Sequence, residues 1–189
     1  MKLVYGVGIN DKKYPAKING KNTKQYELWK NMLKRCYSEK SKIENPTYAG
    51  CTVSENFKNF SYFYEWVQNQ IGFNADGFQL DKDIIHRGNK IYSENACVFV
   101  HQEINLFFTD CRATRGELLV GVSFDKARGK YQAQCRVNGK KKHLGYFTTS
   151  QEACAAYKRF KEYLCKKTAN KWQSQIDSRA YKSMMNWCV

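Results

Sequence analysis

The sequence predicts an α+β chain of two small domains, and three observations carry that reading. The first half mixes helical periodicity with short extended runs, the second half shows three alternating strands and then a helix, and the stretch 109–117 between them lacks periodicity. With 189 residues and 42% hydrophobic content, each half can bury a modest core. The expected division is a domain at 1–110, a linker at 111–117, a sheet module at 118–168 and a helical tail at 169–189 packed back on the body.

Residues 1–22 place Lys12, Lys13, Lys17 and Lys21 around Pro15, and read as a short strand or arm that either touches phosphate or is simply solvated. From Thr23, a good N-cap, the spacing of Tyr26, Trp29, Leu33 and Tyr37 predicts a helix burying one face. Residues 38–50 carry Ser, Asn, Pro and Gly and read as a loop. Phe57, Phe60, Phe63, Tyr64 and Trp66 then predict a second, aromatic helix whose stripe is core. Two extended runs follow, LDKDII at 80–85 and ACVFV at 96–100, separated by a Gly88-Asn89 turn, with a helix starting near His101.

In the second half, Leu118 to Phe124 reads as a strand, Arg128-Gly129 as a turn and KYQAQCRV as the second strand. Asn138-Gly139 signals a tight hairpin into KKKHLGYF. Ser150 is the expected N-cap of a helix to Leu164, with Ala153, Ala156, Tyr157, Phe160 and Leu164 facing the sheet.

The charge balance points to a polyanion. The 32 Lys and Arg exceed the 17 Asp and Glu to give +15, far beyond what solubility needs. No run approaches the ~18 apolar residues of a spanning helix and no lipidation signal is present, so a membrane partner is not expected. Met1 to Val7 is too short for a secretory core, so a cytoplasmic location with the eight cysteines as thiols is expected. None forms a CxxC pair and the three histidines are scattered, so no structural zinc is expected; Cys36, Cys51 and Cys97 either converge on a metal or are ordinary core thiols.

Charge is concentrated in the module. Residues 116–168 hold twelve Lys or Arg against four Asp or Glu, an excess of eight. The pleat of KYQAQCRV puts Tyr131, Ala133, Cys135 and Val137 on one face and Lys130, Gln132, Gln134 and Arg136 on the other. In the third strand Lys141 and His143 share one side, Lys142 and Leu144 the other. A three-stranded sheet backed by one helix leaves a free face that fits the major groove of duplex DNA. There Lys126, Arg128, Lys130 and Lys140 would meet phosphates, and Gln134 and Arg136 the edges of adenine and guanine.

The residues Gly121-Val122, Gly129-Lys130-Tyr131, Ala133, Arg136, Lys140-Lys141, Leu144-Gly145, Phe147, Glu152-Ala153 and Ala156-Tyr157 resemble the Apetala-2/ethylene-response-factor DNA-binding domain, also found in phage homing endonucleases. That resemblance implies groove contacts at Ser123, Gln134, Arg136, Lys141 and His143, with Tyr131 as the aromatic of the second strand. Ser123, Gln134 and His143 stand where the plant pattern has Arg, an acid and Trp, so the plant target sequence does not transfer.

The run QLDKDIIHRGNKIYSENACVFVHQEIN resembles the HNH nuclease motif, and WKNMLKRCY, Tyr48-Ala49-Gly50 and the Phe-rich segment resemble the leader of phage HNH homing proteins. The resemblance implies an HNH-like domain of the ββα-metal type. Asp81 and Asn105 would hold Mg²⁺ or Mn²⁺ and Asn95 would brace the loop. The general-base position holds Lys82, which is protonated at its ordinary pKa of ~10.4 and so is a poor base. Lys82 would then steady the phosphate and His86 take the proton, while His101 caps a helix or meets phosphate. The function implied is a metal-dependent homing-type endonuclease that nicks or cuts duplex DNA. The alternative is a DNA-binding regulator or inhibitor on an inactive nuclease scaffold.

Overall fold

Thr23 starts the first helix as its sequence position predicts. Its hydroxyl accepts the N–H of Tyr26 at 3.3 Å and opens α1 (Lys24–Tyr37). The structure is a computed structural model that describes residues 2–108, 118–137 and 139–189; the expected linker, Cys111 and Asn138 lie outside the described residues. Contacts divide the chain into two units, Met1–Asn105 with Gln173–Ser183 and Leu106–Trp172 with Met184–Val189. The chain is mixed α+β with several small sheets, one of them three-stranded and antiparallel.

In the first unit the basic arm forms a two-strand hairpin, β1 (Lys17–Ile18) and β2 (Lys21–Asn22), and is tied to the body where Ile9 bridges Asn59. Residues 38–50, expected as a loop, contain a short helix α2 (Glu39–Glu44) and a 3-10 turn (Pro46–Tyr48). The Ser38 hydroxyl, accepting the N–H of Ser41, turns a loop-forming residue into a cap. After β3 (Thr52–Val53), the aromatic run splits into α3 (Glu55–Lys58) and α4 (Phe60–Gln68), because Asn59 ends one and caps the next. Trp29, Phe57, Phe60 and Phe63 are fully buried, and the Trp29 indole N–H donates to the Phe57 carbonyl at 2.8 Å. This satisfied aromatic cluster fixes α1 against α3 and α4.

The run LDKDII does not form one strand. β4 (Phe78–Asp81) stops at Asp81, whose carboxylate accepts the N–H groups of Asp83 and Ile84, each at 2.7 Å, and so turns the chain out of the sheet. The loop returns through β5 (Ile91–Tyr92), which pairs in parallel with β3. β6 (Val98–His101) then pairs antiparallel with β4 and runs directly into α5 (Gln102–Phe108). The expected order of strand, loop, strand, helix is present, with β5 as an excursion inside the loop.

The second unit contains β7 (Val122–Asp125), β8 (Lys130–Val137) and β9 (Lys140–Phe147), with α6 (Ser150–Trp172) packed on β8 and β9. The helix runs past the expected end at Leu164, burying Cys165, Thr168 and Ala169. Its cap is Thr149 rather than Ser150. The Thr149 hydroxyl accepts the Glu152 N–H at 3.2 Å, and the Glu152 carboxylate accepts the Thr149 N–H at 3.1 Å, a reciprocal capping box. The tail is helical as expected, with α7 at Ser178–Met185.

One irregularity decides which residues share a face. Ala133 pairs with Gly145, but Gln134 pairs with His143, so Leu144 is an extra residue in β9. Gly145 takes a φ of +136° next to it, a value that side-chain-bearing residues avoid.

Candidate functional site

The outer face of the second unit's sheet carries a connected polar surface. Ala133 and Cys135 are buried against α6, so alternation sends Lys130, Gln132, Gln134 and Arg136 outward. Cross-strand partners share a face, which adds Ser123 from β7 and Lys141, His143 and Tyr146 from β9. The Gln134 amide donates to Gln132 Oε1 at 2.6 Å and to Ser123 Oγ at 3.3 Å, and the Gln132 amide lies 2.8 Å from His143 Nδ1. With Gln132 donating, the imidazole proton sits on Nε2 and offers a donor at the face.

Tyr146 is the residue on this face that strand alternation from the sequence misses. Its ring centroid lies 4.6 Å from that of His143, and the Arg128 guanidinium sits 4.9 Å from its centre. Arg128 is also paired with Asp125 at 3.0 Å, and a backbone hydrogen bond from Arg128 together with its guanidinium holds the Asp125 carboxyl below its usual range. Arg136 and Lys141 stand opposite each other and, among the described residues, have no ion-pair partner, leaving two positive groups at one end of the face. Leu-Gly within a strand was the available signal, since glycine there often marks a bulge.

Other expected DNA contacts fall elsewhere. Tyr131 lies on the α6 side, with its ring 5.0 Å from that of Phe124, so it supports the sheet instead of facing a groove. Lys140 pairs with Val137 and Lys142 with Cys135, which turns both toward the helix side; the Lys142 ammonium sits 4.8 Å from the Phe160 ring. Lys126 is exposed in the turn after β7, beside Arg128.

The first unit holds a cleft of about 320 Å³ between α1, β4 and α5. Gln79 and Asp81 lie two apart on β4 and so share its cleft-facing side, while Leu80 between them is buried. Asn105 comes from α5 and donates to Gln79 Oε1 at 3.1 Å. Burial raises the Asp81 pKa above its ordinary value, opposed by the two backbone N–H groups it accepts. The oxygen-bearing side chains of Asp81, Gln79, Asn105 and Asp83 all line this cleft. This set suits a hard cation such as Mg²⁺ or Mn²⁺, which takes one or two carboxylates and fills its remaining positions with water and phosphate.

Lys82 is buried, 5% exposed, and is fully engaged. Its ammonium lies 2.5 Å from Asp83 Oδ1 and 2.9 Å from the Asn89 carbonyl, with the Tyr92 ring centre at 5.6 Å. The loop brace expected at Asn95 is supplied by Asn89. Its amide donates to the carbonyls of Lys82 at 2.8 Å and Ile91 at 2.7 Å, closing the loop on itself. Asn95 is exposed, and its carbonyl accepts the Arg179 guanidinium at 3.1 Å. His86 is exposed on the same loop and does not line the cleft. His101 Nδ1 accepts the Glu103 N–H at 3.2 Å, the helix-start role expected for it.

No protein-family model, curated protein or solved structure matches the chain. No helix among the described residues is long and apolar enough to cross a membrane. Cys36, Cys51 and Cys97 are buried free thiols, and burial pushes Cys36 and Cys97 up to about 12, which holds them protonated.

Proposed function

We propose that the chain is a double-stranded DNA-binding protein that reads its site with the outer face of β7, β8 and β9. The observation that carries this reading is the outer face itself, a row of Gln132, Gln134, Arg136, Lys141 and His143 in hydrogen-bonded register on a rigid, helix-backed sheet. Amide and guanidinium groups so arranged match base edges in the major groove, and the surrounding lysines match phosphates.

We further propose that the cleft of the first unit hydrolyses a phosphodiester in DNA, as an HNH-like, homing-type endonuclease would. Asp81 and Asn105, with Gln79, would hold Mg²⁺ or Mn²⁺. A bound divalent cation supplies charge stabilisation at the phosphoryl oxygens. Asp81 is oriented for this by the turn that ends β4, and Asn105 by its bond to Gln79. Lys82 holds the loop through Asp83 and Asn89 and supplies positive charge beside the phosphate, while His86, exposed on the same loop, would have to swing into the cleft to accept the proton of the attacking water. The second reading, a DNA-binding regulator or inhibitor without cleavage, is favoured by the engagement of Lys82 in its buried ion pair and by the exposure of His86 outside the cleft lining.

Incubation with supercoiled plasmid and Mg²⁺ or Mn²⁺ separates the two. Nicked or linear product supports hydrolysis, and intact plasmid alongside a clear gel shift supports the regulator. For the sheet face, Arg136→Ala is expected to cost about 1–3 kcal/mol on the preferred duplex and to relax selectivity at one base pair. Lys126→Ala, in the exposed turn after β7, is expected to weaken all duplexes alike. Equal losses from both across unrelated sequences would remove the claim that Arg136 reads a base.

A further inference from the structure

The inward stripe of α1 brings a charged group to the cleft that the sequence alone did not single out. Leu28, Asn31, Met32 and Arg35 follow one another at three- and four-residue spacing and all line the cleft opposite Asp81 and Asn105. Arg35 is half-buried, with the hydroxyls of Tyr92 and Tyr48 beside it and the Tyr48 ring centre 5.5 Å away. Among the described residues no carboxylate is ion-paired with it. Of the acids that line the same cleft, Asp83 is taken by Lys82 and Asp81 by two backbone N–H groups.

A partly buried guanidinium held by aromatic side chains and lacking a counter-ion is costly unless an anion completes it. Its planar fork matches the paired oxygens of a phosphate, and the neighbouring rings fix its orientation before the ligand arrives. Asn31 and Asn105 add neutral amide donors on either side of the same space. The acidic pole at Asp81 and the basic pole at Arg35 thus face one cavity, an arrangement suited to a phosphodiester lying between a cation and a guanidinium.

We propose that Arg35 is the phosphate-binding residue of this cleft and that its ligand is the backbone phosphodiester of the bound duplex, an inference that rests on the nucleic-acid reading above. Binding neutralises one backbone phosphate at a site remote in sequence from the sheet face.

The test uses the full chain, a labelled duplex and a salt series in chelator, so that no strand is cut. Each neutralised phosphate contributes about 0.9 to the slope of log affinity against log salt. Arg35→Met is expected to lower the slope by about that amount, and Arg35→Lys to keep the slope with weaker binding, because the charge stays and the fork is lost. A folded Arg35→Met protein with the parental slope overturns the proposal. Where Arg35→Met fails to fold, Arg35→Lys decides: parental affinity at every salt concentration overturns it. A parent chain that binds no duplex removes the nucleic-acid reading instead. The cleft is then judged by titrating dimethyl phosphate while following the Arg35 Nε–H resonance, where movement supports an anion site and its absence overturns one.

Discussion

Asp81→Asn is expected to leave duplex binding unchanged, to lower metal-dependent strand cleavage by about 10³-fold, and to make the protein more stable at neutral pH. The loss of cleavage follows from removing the carboxylate on the strand that carries Gln79, where several kcal/mol of charge stabilisation would be forfeited. The gain in stability follows from the direction of the Asp81 shift. Burial raises its folded-state pKa above 3.8, so between that value and the raised one the native state holds a proton that the unfolded chain has released. Stability therefore falls as pH rises through this window, and the full cost is present above it. Asparagine keeps an oxygen to accept from Asp83 and Ile84 but carries no charge to desolvate. Thermal melts should place the variant above the parent at neutral pH and level with it below the ordinary carboxylate range. A variant that melts lower at neutral pH would show that the carboxylate is a net stabiliser of the turn.

Gly121→Ala is expected to destabilise the sheet module by about 2–5 kcal/mol and to abolish duplex binding at ordinary protein concentrations. Gly121 has a φ of +73°, and a Cβ there would stand 2.1 Å from the Tyr157 ring on α6. Its carbonyl also accepts the Gln134 N–H at 2.9 Å, so any shift of the backbone disturbs the central strand. Gly129→Ala is the matched control, with a φ of +63° and nothing within 4 Å, and should carry only the left-handed cost of about 1–2 kcal/mol. Denaturant unfolding combined with amide exchange of β8 measures the difference between them. Equal effects from the two substitutions would mean that Tyr157 swings aside.

Much of the architecture was legible because it rests on local signals. Thr23 as a cap, the Trp29 and Leu33 stripe, the three basic strands and the antiparallel β4–β6 pair each follow from periodicity or turn chemistry. Errors arose where one side chain redirects the backbone. Asp81 ends its strand by accepting two N–H groups, and Ser38 and Asn59 start helices inside stretches that read as loop or as continuous helix. In the cleft, the resemblance to the HNH motif placed Asp81 and Asn105 together, and both line it, whereas the side chain that bonds across the loop is that of Asn89 and not of Asn95. The reason is geometric. Asn89 lies close enough to Lys82 to bond across the loop mouth, and Asn95 sits beyond it. Arg35 carries no distinguishing signal in the sequence, because a basic residue in the last turn of a helix is accounted for locally by the helix dipole.

The extra residue in β9 works as a parity inverter. Before Leu144, odd-numbered positions of the strand face outward; after it, even-numbered ones do, so Tyr146 joins the outer surface and Phe147 turns inward. Deleting Leu144 would leave both faces as they are, since Gly145 would follow His143 in regular alternation; pairing Leu144 into the ladder would instead exchange those two aromatic rings between solvent and helix. Whether Leu144 is bulged out or paired in is thus enough to recode the distal half of the reading surface, and the bulge lets one strand take an extra residue while presenting the same chemistry to the groove.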